Sequence, residues 1–129
     1  MEQPALSRIL FVEDDSDIQI VASLALESLG GFRVLACASG AEALARFAEF
    51  SPDLVLLDVM MPGMDGPATL EALRRLPGGS TTPVVFMTAR VQAHEVARYK
   101  ALGAVEVISK PFDPMRLAAT VRDIWSALP

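Results

Sequence analysis

The chain has 129 residues, 52 % of them hydrophobic and 21 % charged, and carries a formal net charge of −5. That is the size and composition of one folded domain rather than a disordered chain. The acidic balance disfavours a phosphate-backbone or anionic-lipid binder, and no apolar run approaches the ~20 residues that cross a bilayer. Met1 to Ser7 holds Glu2 and Pro4 and reads as no signal peptide. Cys37 is the single cysteine. It lies in an apolar run and reads as a small core residue in a reducing, cytoplasmic setting.

Short apolar runs alternate with helix-like patterns, the order of βα units around a parallel sheet. The first strand is Ile9 to Val12. Ser16 and Gln19 have capping-box spacing, and Ile18, Val21, Ala22, Ala25 and Leu29 fall on one helical face. Gly30 and Gly31 end that helix. The second strand is Phe32 to Ala36; Ser39 and Glu42 open a helix over Gly40 to Glu49. The third strand, Leu54 to Asp58, is apolar at four successive positions before Asp58, which marks a central strand buried on both faces. A loop over Met61 to Gly66 leads to a short helix over Pro67 to Leu76. The fourth strand is Val84 to Met87, followed by a helix over Gln92 to Leu102 that stops at Gly103. The fifth strand is Val105 to Ile108. Asp113 as N-cap and Pro114 as first helical residue start the last helix, which buries Leu117, Val121, Ile124 and Leu128. No domain linker is visible, and residues of about 7–128 are expected to be ordered as one domain.

Polar residues interrupt this pattern at the ends of four of the five strands. Glu13 and Asp14 follow the first strand, Asp58 ends the third, Thr88 follows the fourth and Lys110 the fifth. All are C-terminal ends, where open parallel sheets form their binding crevices. Three carboxylates brought together repel and need a cation, a proton or a lysine. An all-oxygen carboxylate set suits a hard divalent cation such as Mg2+. Lys110 supplies a mobile point charge, Thr88 a hydroxyl, and a carboxylate can itself accept a phosphoryl group. A lone aspartate at a strand end is more often a cap or a solvated loop residue, as Asp15 and Ser16 read here. The weight lies in the five positions together.

At this point the chain resembles the receiver domain of two-component response regulators over about Ser7 to Leu128. The resemblance is carried by Ile9-Leu10-Phe11-Val12-Glu13-Asp14-Asp15, by Pro52 to Asp58 with Met61-Pro62-Gly63-Met64-Asp65-Gly66, by Val84 to Ala89, and by Gly103-Ala104 through Lys110-Pro111-Phe112. The spacing between Asp14, Asp58, Thr88 and Lys110 matches as well. The resemblance implies a doubly wound α/β fold with five helices around five parallel strands in the order 2-1-3-4-5 (flavodoxin-like), and a cis Lys110-Pro111 bond. It implies that Asp58 takes a phosphoryl group from a sensor histidine kinase or a histidine phosphotransfer protein. Asp14 and Asp58 would bind Mg2+ (or Mn2+) directly, the Met60 carbonyl would join them, and Glu13 would act mostly through water. Thr88 resembles the switch hydroxyl and Lys110 the lysine that contacts the phosphoryl group. Met60 and Arg90 occupy positions that tune phosphoryl hydrolysis. Val107 stands where an aromatic switch residue is usual, and Tyr99, the sole tyrosine, sits on the preceding helix and is not given that role.

The expected function is a phosphorylation switch with self-phosphorylation and slow autodephosphorylation. Its output face is the fourth helix, fifth strand and fifth helix, and it works as a monomer or a weak phosphorylation-dependent dimer without binding nucleic acid or membrane itself. The same domain would serve as the receiver module of a longer DNA-binding regulator or hybrid histidine kinase. A small Mg2+-dependent hydrolase with an aspartyl nucleophile is disfavoured. Such an enzyme needs a cap or a general acid two residues past the nucleophile, where Met60 stands. A pseudo-receiver is disfavoured by the intact set of Glu13, Asp14, Asp58, Thr88 and Lys110. His94 reads as a surface helix residue and Trp125 as a partly buried anchor.

Overall fold

A computed structural model of the chain describes residues 4–129; the part of the leader reading that falls on residues 1–3 lies outside them. Five strands, β1 (Arg8–Val12), β2 (Arg33–Cys37), β3 (Leu54–Asp58), β4 (Val84–Thr88) and β5 (Glu106–Ser109), alternate with five helices. The helices are α1 (Ser16–Gly30), α2 (Gly40–Phe50), α3 (Gly66–Arg74), α4 (Ala93–Leu102) and α5 (Pro114–Ser126). All strand pairs are parallel, and their order is β2-β1-β3-β4-β5. This is the flavodoxin-like arrangement that the resemblance implies.

Strand alternation divides the core in two. Leu10, Val12, Val55, Leu57, Val84 and Phe86 face one side and pack with Ala43 and Phe47 of α2, Leu70 and Leu73 of α3 and Tyr99 of α4. Ile9, Phe11, Leu54, Leu56, Val85 and Met87 face the other and pack with Ala22 and Leu26 of α1 and Leu117 and Val121 of α5. Every residue of β3 and β4 is buried. Each fully buried leucine of β3 contributes about 1.5–3 kcal/mol by its removal from water, so the strand that ends in Asp58 is held from both faces.

Several local expectations shift. Asp15, not Ser16, caps α1: its side chain accepts from the N–H groups of Asp17 and Ile18. Gln19 is no capping-box partner but donates from Nε2 to the Glu13 carbonyl at 3.1 Å. The buried face of α1 is Ala22, Ala25 and Leu26, whereas Val21 and Leu29 stay about half exposed. Val21 lies about 100° round the helix from Ala22, and Leu29 falls in the last turn. Ser39 caps α2 as expected, but Glu42 reaches the Ala38 N–H rather than that of Ser39. β2 and β5 each lie one residue later than read, and α5 ends at Ser126, with Leu128 half-buried beyond it. The Lys110-Pro111 bond is cis. Trp125 is half-buried and donates to the Pro4 carbonyl at 2.8 Å; His94 is exposed on α4. No helix among the described residues is long and apolar enough to cross a membrane.

Candidate functional site

Parallel register brings the polar strand ends to one edge of the sheet. Val12 lies opposite Leu57, Asp58 opposite Met87, and Thr88 opposite Ser109. The ladder then continues by single bonds: the Glu13 N–H donates to the Cys37 carbonyl at 3.0 Å and the Lys110 N–H to the Thr88 carbonyl at 2.9 Å. Glu13, Asp58, Thr88 and Lys110, distant in sequence, are therefore fixed by backbone bonds before any side chain acts.

Glu13, Asp58 and Thr88 are 1, 3 and 2 % exposed, and Asp14 is open to solvent. Carboxylate oxygens of Glu13, Asp14 and Asp58 lie within 4.8 Å of one another, a group that can hold a metal ion. Lys110 Nζ donates to Glu13 Oε1 at 2.9 Å and to Asp58 Oδ1 at 3.2 Å. One ammonium thus pairs with two of the three carboxylates. Burial and the neighbouring Asp58 carboxylate raise the Glu13 pKa above its usual 4.5, with Lys110 opposing. Burial alone would lower the Lys110 pKa, but Glu13 and Asp58 together hold it above 10.5. The site has room for more positive charge than Lys110 supplies, and an oxygen-only donor set suits a hard divalent cation.

The remaining candidates surround this pocket. The Thr88 hydroxyl accepts the Arg90 N–H at 3.1 Å and so faces its own loop. The Arg90 side chain is exposed and makes no ion pair among the described residues. Met60 is 64 % exposed, and among the described residues no hydrogen bond ends on its carbonyl, which leaves that oxygen free for a cation. Val107 is half-buried against the α2–α3–α4 side of the core. Cys37, beside Glu13 at the end of β2, is buried, and its thiol is pushed up to about 11, by burial first and then by Glu42, against Arg46. It is a protonated core residue rather than a reactive one.

Two residues noted in the sequence for other reasons turn out to position the site. One is Gln19, whose bond to the Glu13 carbonyl ties the acidic turn to the first turns of α1. The other is Gly66, at the approach of α3 to the end of β3. A Cβ on Gly66 would stand 2.8 Å from Val59 Cα and 2.9 Å from the Asp58 carbonyl oxygen. Glycine lets the Gly66 N–H reach the Val59 carbonyl at 2.9 Å and draws the loop closely around Asp58.

The sequence profile of the response regulator receiver domain matches residues 9–122. The chain belongs to the receiver domain family. This receiver is 40 % identical over 118 residues to transcriptional regulatory protein CseB of Streptomyces coelicolor, covering 92 % of the chain and 49 % of that protein. It is 38 % identical over 115 residues to DNA-binding response regulator MtrA of Mycobacterium tuberculosis, covering 89 % and 49 %. It spans about half the length of these curated relatives. Among solved structures it superposes on Vibrio cholerae chemotaxis protein CheY4 with a TM-score of 0.85 at 31 % identity, covering 93 % of this chain and 99 % of that one. A receiver domain of a signal transduction histidine kinase from Syntrophus aciditrophicus gives 0.80 at 32 % identity, covering 95 % and 92 %. The acidic cluster of this receiver fits the metal-dependent phosphotransfer to aspartate that such domains carry out, and histidine kinases and phosphotransfer proteins are the usual partners of the family.

Proposed function

We propose that Asp58 accepts a phosphoryl group from the phosphohistidine of a sensor histidine kinase or histidine phosphotransfer protein, and that the added charge changes the α4–β5–α5 face for a downstream partner. The observation that carries this reading is the meeting of the Glu13, Asp14 and Asp58 carboxylates with Lys110 at the end of a fully buried strand. Asp14, Asp58 and the Met60 carbonyl would hold Mg2+, or Mn2+ in its place, with Glu13 reaching it through water. The cation, when bound, neutralises charge on the transferring phosphoryl oxygens.

The protein's own groups do the rest. Lys110 binds Asp58 Oδ1, which leaves Oδ2 to attack phosphorus. The new O–P bond forms as the donor's P–N bond breaks, and the imidazole leaves with the electron pair and takes up a proton. Lys110 and the Thr88 hydroxyl then share the phosphoryl oxygens. Beside the pocket, Ile20, Val21 and Leu24 of α1 and Met115 of α5 are exposed apolar residues, and Ile18, Val21, Pro111 and Phe112 line an apolar cavity of about 250 Å³ next to Lys110. This patch is suited to the phosphodonor's helices.

A second reading places the same receiver inside a longer DNA-binding regulator. It is favoured by the half-length coverage of relatives named as transcriptional and DNA-binding regulators. The chemistry at Asp58 is the same in both, as is the expected monomer or weak phosphorylation-dependent dimer. The test is intact mass after incubation with acetyl phosphate and Mg2+. One phosphoryl group should be gained, none in excess chelator, and none at comparable rate in Asp58→Asn; an unchanged rate in that variant removes the assignment.

A further inference from the structure

We propose that Tyr99 on α4 is the aromatic side chain that carries the state of the Asp58–Thr88 end of the sheet to the α4–β5 surface. The proposal rests on the reading of Asp58 as the phosphoacceptor. Valine at position 107 is β-branched, with few rotamers and no ring to swing, so β5 cannot supply such a residue there. The packing puts a ring nearby, from a different element.

Tyr99 is 5 % exposed and is the one buried residue of α4. That helix is therefore anchored to the sheet through a single fully packed side chain. The ring meets Phe86 edge-on, with centroids 5.4 Å apart and planes at 81°. Phe86 lies on β4, two residues before Thr88, directly opposite Val107 in the β4–β5 register. Tyr99 and Val107 thus belong to one packed cluster around Phe86. On its outer side, Tyr99 helps to line an open cavity of about 440 Å³ whose wall includes Val59, Met60, Met61 and Pro62. Those four residues follow Asp58 in sequence. One ring therefore meets the strand that ends in Thr88 and borders the loop that leaves Asp58, and it has open space on one side.

The physical consequence is a lever. A phosphoryl group on Asp58 adds negative charge and acceptor oxygens; these draw the Thr88 hydroxyl as a donor and turn it from its present orientation, in which it accepts the Arg90 N–H. Residues 89–92 lead directly into α4. Moving either Thr88 or the loop after Asp58 alters the walls around Tyr99, and the ring can redistribute between its edge-on contact with Phe86 and the cavity. Because it is α4's anchor, α4 moves with it. The Lys100 to Glu106 ion pair at 3.3 Å links the same helix to β5, so the change reaches both output elements.

Tyr99 is the only tyrosine, so incorporating fluorotyrosine places one ¹⁹F label at this site without a substitution. Beryllium fluoride with Mg2+ serves as the phosphoryl mimic. The labelled protein should show a displaced or second ¹⁹F resonance on adding the mimic, absent in Asp58→Asn and reduced in Thr88→Ala. Tyr99→Phe should keep the amide shifts of Glu106 to Ser109. Tyr99→Ala should lose most of them while still gaining a phosphoryl group from acetyl phosphate, with Tyr99→Leu as the better-packed companion should the alanine variant fail to fold. An unmoved fluorine line beside shifted Asp58 and Thr88 amides overturns the proposal alone. No shift anywhere, together with no mass gain from acetyl phosphate, overturns the acceptor reading and this proposal with it.

Discussion

Lys110 and Glu13, 97 residues apart in sequence, are joined by a 2.9 Å ion pair that reaches from the end of β5 to the end of β1, across the two strands between them. Lys110 thus serves the acidic pocket as a structural counter-ion before it meets any phosphoryl group. Its loss would leave Glu13 and Asp58 buried beside each other without a protein cation. Breaking a buried pair from one side costs about 3–5 kcal/mol, and the partial exposure of Lys110 places this site toward the lower end of that range. Lys110→Met should lower the urea midpoint accordingly, with part of the loss restored by Mg2+. A Lys110→Met midpoint equal to wild type in chelator would contradict the counter-ion role.

The same pair sets a pH dependence. Glu13 is held above its ordinary 4.5, by burial first and by Asp58, so the folded state binds that proton more tightly than the unfolded chain does. The resulting stability is fully present below about pH 4.5 and is lost as pH rises through the folded value. Lys110 is also raised, so its contribution is fully present below 10.5 and fades only above that. Between neutral pH and 4.5 only Glu13 of this pair changes. In chelator, wild type should therefore gain stability relative to Glu13→Gln as pH is lowered across that window. Denaturant melts of the two proteins at several pH values give the slope, and a difference independent of pH would count against it.

Metal binding should rank Asp14 above Glu13. Asp14 is open to solvent and adjoins Asp58, whereas Glu13 is buried and already committed to Lys110. Asp14→Ala should weaken Mg2+ by roughly tenfold or more, about 1.4 kcal/mol for each factor of ten. It should leave the metal-free fold as stable or more so, because a like charge is removed. Calorimetric titration with Mg2+ measures the ranking, and equal losses in Asp14→Ala and Glu13→Ala would erase it.

The polar edge of the sheet is legible from sequence because polar residues follow four of the five apolar strands at the same end. β3 is read to the residue, since four apolar positions before Asp58 leave no choice of boundary. The turn after β1 is less legible. Asp15 and Ser16 are both good caps, and only the path of the chain decides between them. Gln19 then looks like a capping-box member, although its amide goes to the Glu13 carbonyl. Periodicity places Val21 and Leu29 on the α1 face but cannot tell where along the helix the core stops. Tyr99 is hidden for a related reason. α4 has a weak apolar stripe with one buried residue, and nothing local to it reports that Phe86, on another strand, receives the ring.

Gly66 should prove intolerant of even one added carbon. A methyl group there would meet backbone atoms of Asp58 and Val59 at 2.9 and 2.8 Å, and backbone cannot rotate aside. Overpacking of this kind costs about 1–3 kcal/mol. Gly66→Ala should lose that much in a urea melt and should also bind Mg2+ more weakly, because the start of α3 would push on the segment that carries Asp58 and Met60. Gly63 supplies the control: its φ is 74°, yet a Cβ there meets nothing within 4 Å. Gly63→Ala should show backbone strain in the melt without the same loss of metal affinity. Identical metal affinity in wild type and Gly66→Ala would show that the α3 start does not shape the site.

The phosphoryl group on Asp58 should be comparatively long-lived. Hydrolysis needs a water in line with the O–P bond, and such a water is best held by a neighbouring hydrogen-bonding side chain. The residue two positions past Asp58 is Met60, whose thioether is a weak acceptor and no donor. Arg90, two positions past Thr88, has its side chain in solvent. Its backbone N–H is bound to Thr88 Oγ1. The exposed Arg90 guanidinium has no ion-pair partner among the described residues and is free to pair with the phosphoryl oxygens. That would slow loss of the group rather than assist attack by water. Neither side chain therefore supplies a partner for the attacking water. Met60→Asn introduces both a donor and an acceptor at a position that is 64 % exposed, so the change should be tolerated by the fold and any effect should lie in the chemistry. If the amide lowers the hydrolytic barrier by about 1.4 kcal/mol, the rate rises about tenfold. The check is the decay of phosphorylated wild type and Met60→Asn after removal of acetyl phosphate, followed by intact mass with Mg2+ present throughout. Faster decay in the wild type than in Met60→Asn would show that Met60 does not protect the acyl phosphate. An unchanged rate would move the control of lifetime to Arg90, where Arg90→Ala should then shorten it.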